Sequence, residues 1–372
     1  MRAVDLHYFI AIDMIPGIGS INAKRLIAYC GGAEAVFKEK KAALLKIPGI
    51  GDTLAKEIAH QNVLQRADAE LTFLDRYGIG AYTFLDKDYP DRLKACEDGP
   101  VVLFSKGEVN FNERKVLAIV GTRNATDYGK SICEHIVAEI VSLGHTPIIV
   151  SGLAFGIDIC AHRAALKNSL KTVAVLGHSL NTIYPSEHKN TAREIVSNGA
   201  LVSDFPSETK TDRQNFIKRN RIIAGLSDIT LVVESGAKGG ALITADLANS
   251  YSRDVAAIPG RSGDKYSEGC NNLIKTNRAA LVESAKDIQE LMGWEPETGV
   301  VKHAIQSTLF VELSEQDKVI VELLGATEKE SLDILALRAQ MPVSKVSAIL
   351  LNLEFAGIVR SLPGKQYSLT RR

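Results

Sequence analysis

The 372-residue sequence has no excess of charge of either sign: Lys and Arg together number 44, and so do Asp and Glu. That excludes a protein that coats nucleic acid by bulk charge, so any nucleic-acid site must be a local patch. Cysteine is sparse and unpatterned. The five residues, Cys30, Cys96, Cys133, Cys160 and Cys270, are scattered, odd in number and without a Cys-x-x-Cys pair, which argues against a disulfide framework and for a reducing cytoplasm. No apolar run approaches the roughly 20 residues needed to span a bilayer. Asp5 and Asp13 interrupt the start of the chain, where a signal segment would be apolar. A soluble, cytoplasmic chain with no membrane partner is therefore expected. With 45% hydrophobic residues there is material for two or three domains whose interiors need no disulfides.

What is present begins with a repeat. Ile15-Pro16-Gly17-Ile18-Gly19 recurs as Ile47-Pro48-Gly49-Ile50-Gly51, thirty-two residues on, and each copy runs into an apolar-periodic helix. The resemblance continues through Ala23-Lys24-Arg25-Leu26-Ile27 and Ala55-Lys56-Glu57-Ile58-Ala59. This is the pattern of paired helix-hairpin-helix units. Glycines in the turn let successive N–H groups point outward at a helix start, where the dipole also favours an anion. Gly17, Gly19, Gly49 and Gly51 are thus candidate contacts to DNA phosphates, including those of duplex DNA; a small helical domain kept for packing is the plainer alternative.

Four segments are expected: a helix-hairpin-helix domain over 1–80, a Rossmann-like domain over 82–292, a linker over 293–312 and a winged helix over 313–372. In the second, β-branched runs at 116–120, 146–150, 172–176, 200–202, 229–233 and 255–258 alternate with helical stretches, which indicates a mostly parallel sheet with helices on both faces. Pro296 and Gly299 mark the linker. Three short helical patterns and a Gly-containing hairpin then give the order of a winged helix. The fold class is α/β.

Open parallel sheets bind ligands beyond the carboxyl ends of their strands. The residues there include Gly121-Thr122-Arg123, Ser151-Gly152 continuing to Gly156-Ile157-Asp158, Gly177-His178-Ser179, Glu234-Ser235-Gly236-Ala237-Lys238-Gly239-Gly240 and Pro259-Gly260-Arg261. A line of glycine-rich loops suits several phosphates of a polynucleotide, with Gly121, Gly152, Gly156, Gly239 and Gly240 as backbone contacts. A dinucleotide cofactor is disfavoured because Arg123 stands where the second glycine of the fingerprint belongs, and no acidic residue ends the next strand. The P-loop signature is absent, no cofactor is expected, and no third ligand accompanies Asp158 and His162 to make a metal site. Further on, Phe216-Ile217-Lys218-Arg219-Asn220-Arg221 crowds three cations beside a ring, as single-strand binding requires. A solvated helix face with Phe216 in the core is the competing reading.

These motifs together resemble the DNA-processing protein A family (DprA, also called Smf) along essentially the whole middle domain. The resemblance rests on Ala118-Ile119-Val120-Gly121-Thr122-Arg123, Ser151-Gly152-Leu153-Ala154-Phe155-Gly156-Ile157-Asp158, Tyr184-Pro185, Arg219-Asn220-Arg221-Ile222-Ile223-Ala224-Gly225-Leu226, Ile258-Pro259-Gly260 and Gly269-Cys270-Asn271-Asn272. It implies a non-catalytic protein that binds single-stranded DNA, forms a homodimer and loads the RecA recombinase in natural transformation and recombination. The family's Gly-x-Arg arginine falls on Arg123, its basic element on Arg219, Asn220 and Arg221, and the preceding aromatic on Phe216. Lys238 is added from its charge and place. The chain departs from the family pattern at His178-Ser179, where a second glycine is usual, and at Ser203-Asp204.

Two other functions compete. A nucleotide-processing hydrolase of the phosphoribohydrolase type could use Glu234, Asp158 and His162 as acid and base groups, although that group's Pro-Gly-Gly-x-Gly-Thr element is missing. Asp158 and His162, at i and i+4, are more simply read as a local hydrogen bond or an N-terminal charge. A pure protein adaptor is the other. In the winged helix, the helix over 343–356 offers only Lys345 as a cation beside Leu350, Leu351, Leu353 and Phe355, so it reads as a protein-contacting element rather than a duplex reader.

Overall fold

The computed structural model describes residues 3–210, 212–296, 314–325, 329–356, 358–362 and 366–369. Each Pro-Gly turn joins two helices. α1 (Ala3–Asp13) runs through the first turn into α2 (Ser20–Cys30); after α3 (Ala33–Lys38), α4 (Lys41–Leu44) runs through the second into α5 (Asp52–Ala59). Gly17 and Gly49 have φ of 79° and 86°, a region that side chains disfavour. The turns bury Ile15, Ile18, Ile47 and Ile50. A Cβ on Gly17 would lie 3.1 Å from Leu54, and one on Gly49 would lie 3.1 Å from Asn22. The two contacts are related by the sequence shift that relates the repeats, 17 to 49 and 22 to 54, so the two copies meet reciprocally.

α6 (Leu64–Tyr77) ends at Gly78, whose backbone is left-handed, and leads into β1 (Gly80–Thr83), α7 (Asp91–Lys94) and β2 (Val102–Gly107). There follow β3 (Val116–Val120), α8 (Asp127–Ser142), β4 (Ile148–Ser151), α9 (Ile157–Lys167), β5 (Thr172–Val175), α10 (Lys189–Ser197), β6 (Gly199–Ser203), α11 (Arg213–Leu226), β7 (Ile229–Val232), α12 (Gly240–Ser250), β8 (Asp254–Ala257), α13 (Glu268–Lys275), β9 (Ala280–Leu281) and α14 (Ala285–Met292). The strands form one nine-stranded sheet in the order β1-β2-β6-β5-β4-β3-β7-β8-β9. It is parallel from β6 to β9, while β2 lies antiparallel to β6 and to β1. The sheet is thus the Rossmann-like one expected, extended by an antiparallel pair and by β9. Period-2 alternation sorts the core: Val116, Ala118 and Val120 face α11, α12 and α13, whereas Leu117 and Ile119 face α8 and α9.

The helical segment and the sheet share a core. Phe9, Ile10 and Leu26 belong to the same buried cluster as Phe104, Ala174 and Leu201. Polar clamps add to it, with Arg66 donating to Ser207 Oγ at 2.8 Å and the Ser207 N–H donating to buried Glu70 at 2.8 Å. Met1–Thr298 form one compact unit and Gly299–Arg372 a second. Of the expected linker, Gly293 caps α14 and Trp294 packs in the sheet core; residues 297–312 lie outside the described residues. The second unit contains α15 (Glu315–Gly325), β10 (Glu330–Ser331), α16 (Leu332–Arg338), α17 (Val343–Phe355), β11 (Val359–Leu362) and β12 (Gln366–Leu369), with the strands in the order β10-β12-β11. This is a winged helix, built on Ile320, Leu335, Val346, Leu350 and Val359.

Candidate nucleic-acid interface

β3 lies at the switch point of the sheet. From it the chain crosses over to β4 on one side, whereas β7, its neighbour on the other, leads away to β8. The loops after β3 and β7 therefore diverge and open a cleft of about 660 Å³. Gly121 and Arg123 enter it from the first loop, Phe216, Arg219 and Asn220 from α11, and Lys238, Gly239 and Gly240 from the start of α12. Gly156 supports the cleft from below: its φ is 78°, and any side chain there would run into the carbonyls of Thr122 and Arg123. Gly239, the N-cap of α12, is extended and has no side-chain cap, so the first N–H groups of that helix remain open to an anion.

The expectation of one exposed basic cluster on α11 does not hold. Arg219 is buried, and its Nη1 donates to the Gly152 carbonyl at 2.6 Å and to that of Val175. Burial pushes its guanidinium down to about 10, Asp158 opposing and Arg123 adding to the effect. Gly152 is a glycine here because a Cβ would occupy the place of that guanidinium. Arg221 points to the other side of the helix, where it pairs with Asp204 and donates to the Asp98 carbonyl. Lys218 is exposed on that same side, away from the cleft. Adjacent helical residues point about 100° apart, so three cations in four positions cannot share one face.

Two residues missed in the sequence fill the cleft instead. Arg213, at the start of α11, lines it, as does Tyr184, a residue 54% exposed. Phe216 is half-buried, with the Tyr184 ring 5.7 Å away and the Arg123 guanidinium 5.9 Å from its own centroid. Among the described residues, Arg123, Arg213 and Lys238 have no ion-pair partner. Tyr184 was legible as part of a Tyr-Pro motif, but nothing in the sequence distinguished a structural tyrosine from a stacking one. The loop after β5 offers no backbone to the cleft: Gly177 to Leu180 are buried, and Gly177 packs under Phe216.

The acid and base groups of the hydrolase reading are not gathered. The Glu234 carboxylate accepts from the Thr126 N–H at 2.9 Å and from its hydroxyl, which fastens the start of α8. Asp158 lines the cleft but is buried in the first turn of α9, and burial raises its carboxyl despite Arg219. His162 is wholly buried, with Nδ1 2.7 Å from the Thr172 hydroxyl, so it does not take Asp158 as its partner. Among the described residues, no group of three His, Cys, Asp or Glu is placed to hold a metal.

Burial, with Arg219 and His188 adding to it, pushes the His162 imidazole down to about 3. An unfolded histidine takes up its proton near pH 6.5. The stability contributed by the neutral ring is therefore full above about pH 6.5 and lost as pH falls towards 3. Asp13, pushed up to about 7 by burial and Asp204 with Arg221 opposing, acts in the opposite sense over much of this range. The histidine is isolated by difference. His162→Gln should gain on the parent by about 1.4 kcal/mol per pH unit below about pH 6.5, read from urea unfolding at about pH 7, 5.5 and 4.5. A flat difference would mean that the folded ring is protonated.

The two Pro-Gly turns are not equivalent. Gly19 and Gly51 are both N-caps without a side-chain cap. α5 opens with Asp52, however, whose carboxylate is 2.5 Å from Lys41 and 2.8 Å from Lys56, whereas the first turn of α2 carries no acid. In the winged helix, α17 leaves Val343, Leu351 and Phe355 exposed.

The sheet, the cation-lined cleft at its switch point and the winged helix define a Rossmann-like binding protein of the α/β class. Residues 80–293 match the family described as DNA recombination-mediator protein A, and residues 311–365 match the DprA winged helix domain. The chain belongs to this family. The protein Smf of Synechocystis is 32% identical to it over 97% of this chain and 98% of the relative. The X-ray structure of DNA processing protein A from Streptococcus pneumoniae superposes with a TM-score of 0.67 at 31% identity, covering 78% of this chain and 98% of that one. A DNA processing protein A from Helicobacter pylori, whose structure was described for its single-stranded DNA binding mode, has a TM-score of 0.53 at 26% identity over 59% of this chain and 98% of its own.

Proposed function

We propose that this protein binds single-stranded DNA in the cleft between the ends of β3 and β7, and that it acts as a homodimeric cytoplasmic mediator that delivers the strand to RecA in transformation and recombination. The observation that carries the reading is the cleft itself: Arg123, Arg213 and Lys238 surround it with no ion-pair partner among the described residues, next to the Tyr184 and Phe216 rings. Unpaired cations take phosphates and aromatic rings take bases. The Helicobacter pylori relative, described as binding single-stranded DNA, supports the choice of ligand. The engagement of Glu234 and His162 in holding the fold supports binding without catalysis, and no turnover of nucleoside monophosphates is expected. The winged helix is assigned to protein contact, since Leu351 and Phe355 are exposed on a helix with little positive charge.

The test is fluorescence anisotropy with labelled single-stranded and duplex oligonucleotides over a salt series, with RecA filament growth on a coated strand as the assay for delivery. Single strands should bind more tightly, and affinity should fall steeply with salt through counterion release. Tyr184→Ala should weaken binding about fivefold, the low end of the stacking range because Phe216 remains beneath, and should leave the salt slope unchanged. No binding at low salt by the folded protein would remove the site.

A further inference from the structure

The side of α11 turned away from this cleft opens on a larger one. About 1160 Å³ of space lies between the first Pro-Gly turn and the 204–209 segment that follows β6. The two clefts flank a single ridge: residues 216, 217 and 220 of α11 line the first, and 215, 218 and 221 line the second. A helix with its side chains is about 10–12 Å across, roughly three stacked nucleotides at about 3.4 Å each. A strand leaving the first cleft over this ridge arrives directly in the second.

The second cleft carries donors for a phosphate, although Asp13, Asp98, Asp204 and Glu208 line it as well. Gly19 to Asn22 line it, and the first intrahelical bond of α2 is made by the Ala23 N–H to the Gly19 carbonyl, so the N–H groups of Ser20, Ile21 and Asn22 precede the helical ladder. No side chain caps them and no acid stands in the first turn. Lys218 lines the same space, exposed and without an ion-pair partner among the described residues. An independent feature points to a donor-bearing ligand. Asp204 lines the cleft with its side chain only 9% exposed; Oδ2 is held by Arg221, and Oδ1 has no partner. A buried acceptor without a donor is costly, and a nucleobase N–H is the donor that a strand brings.

We propose that the cleft between the first turn and α11 is a second subsite for the same single strand, in which one phosphate docks on the Ser20 to Asn22 N–H groups opposite Lys218. The inference rests on the first cleft being a single-strand site. The second turn does not serve equally, because an acid, Asp52, stands in the first turn of α5, where α2 has none.

The experiment uses the full chain and oligothymidylates of about 6 and about 20 nucleotides, the short one filling a single site and the long one both. Lys218→Ala should weaken the long strand about 5- to 10-fold, reduce its salt slope by about 0.7 and leave the short strand within about twofold. Gly19→Asp provides the second variant. The Gly19 backbone is extended, a Cβ there meets nothing within 4 Å, and aspartate is a good N-cap, so the melting temperature should hold or rise. Its carboxylate would nonetheless take the N–H groups that the phosphate needs, weakening the long strand about tenfold and sparing the short one. The subsite is overturned if either folded variant leaves the long strand unaffected or weakens both lengths equally. Arg123→Ala separates the two readings: if it leaves both lengths unchanged, the first cleft has been misassigned, whatever Lys218 does.

Discussion

Arg123→Ala is expected to lower single-strand affinity about 10- to 100-fold, the weight of a hydrogen-bonded phosphate contact at about 1.5–3 kcal/mol. The side chain is exposed at the end of β3, has no carboxylate partner among the described residues and rests 5.9 Å from the centre of the Phe216 ring. Because it stabilises little of the fold, the melting temperature should stay at the parent value. Losing one phosphate contact should also flatten the salt dependence by about 0.7 in slope. Arg123→Lys should recover only part of the loss, since an ammonium keeps the charge but lacks the planar fork. The variant uncovers the Phe216 ring, which offsets little: an exposed cation–π contact is worth about 0.5–1 kcal/mol. Native stability with unchanged affinity and unchanged slope would place the phosphate elsewhere.

Arg219→Ala should fail in a different way. Removing the guanidinium strands the Gly152 and Val175 carbonyls and takes from buried Asp158 its main cation, leaving only the smaller influence of Arg123. Breaking a buried ionic contact on one side costs about 3–5 kcal/mol, which corresponds to a fall of about 10 °C in melting temperature for a unit of this size. Any lost binding should track the unfolded fraction and recover on cooling. Arg219→Ala with Asp158→Asn should restore part of the stability, because the uncompensated charge is then gone. A stable Arg219→Ala protein that no longer binds DNA would make this residue a ligand contact after all.

The contrast between these two arginines shows how far the site was legible. Both stand in polar motifs, one after a strand and one in a basic helix. Arg123 follows a run of five apolar residues that had to be a buried strand, so its place at the sheet end was readable. The environment of Arg219 is made by carbonyls 67 and 44 residues away. Spacing along α11 could have separated Arg219 from Lys218 and Arg221, since helical neighbours diverge; it could not say which face met the core. The missed strands have a similar explanation. β1 spans only four residues, and β2, with Val102, Leu103 and Phe104 buried and Lys106 partly exposed, has no helix after it to mark a crossover. Their pairing depends on β6, about a hundred residues later.

The sequence by itself determined most of the elements. Apolar periodicity marked six of the seven parallel strands and their helices, the repeated Pro-Gly phrase marked two like turns, and the balance of charge ruled out a bulk polycation. These are local properties, read within a dozen residues, because strand and helix periods are set by backbone geometry. Tertiary structure alone decided which polar groups remain available. It buried Arg219, paired Arg221 with Asp204, fastened Glu234 to Thr126, brought Tyr184 and Arg213 beside Arg123, and turned the first Pro-Gly turn towards the sheet while Asp52 put an acid in the second. The physical reason is that burial and pairing belong to the environment rather than to the side chain: a guanidinium is a ligand contact where water leaves it free and a structural strut where carbonyls enclose it.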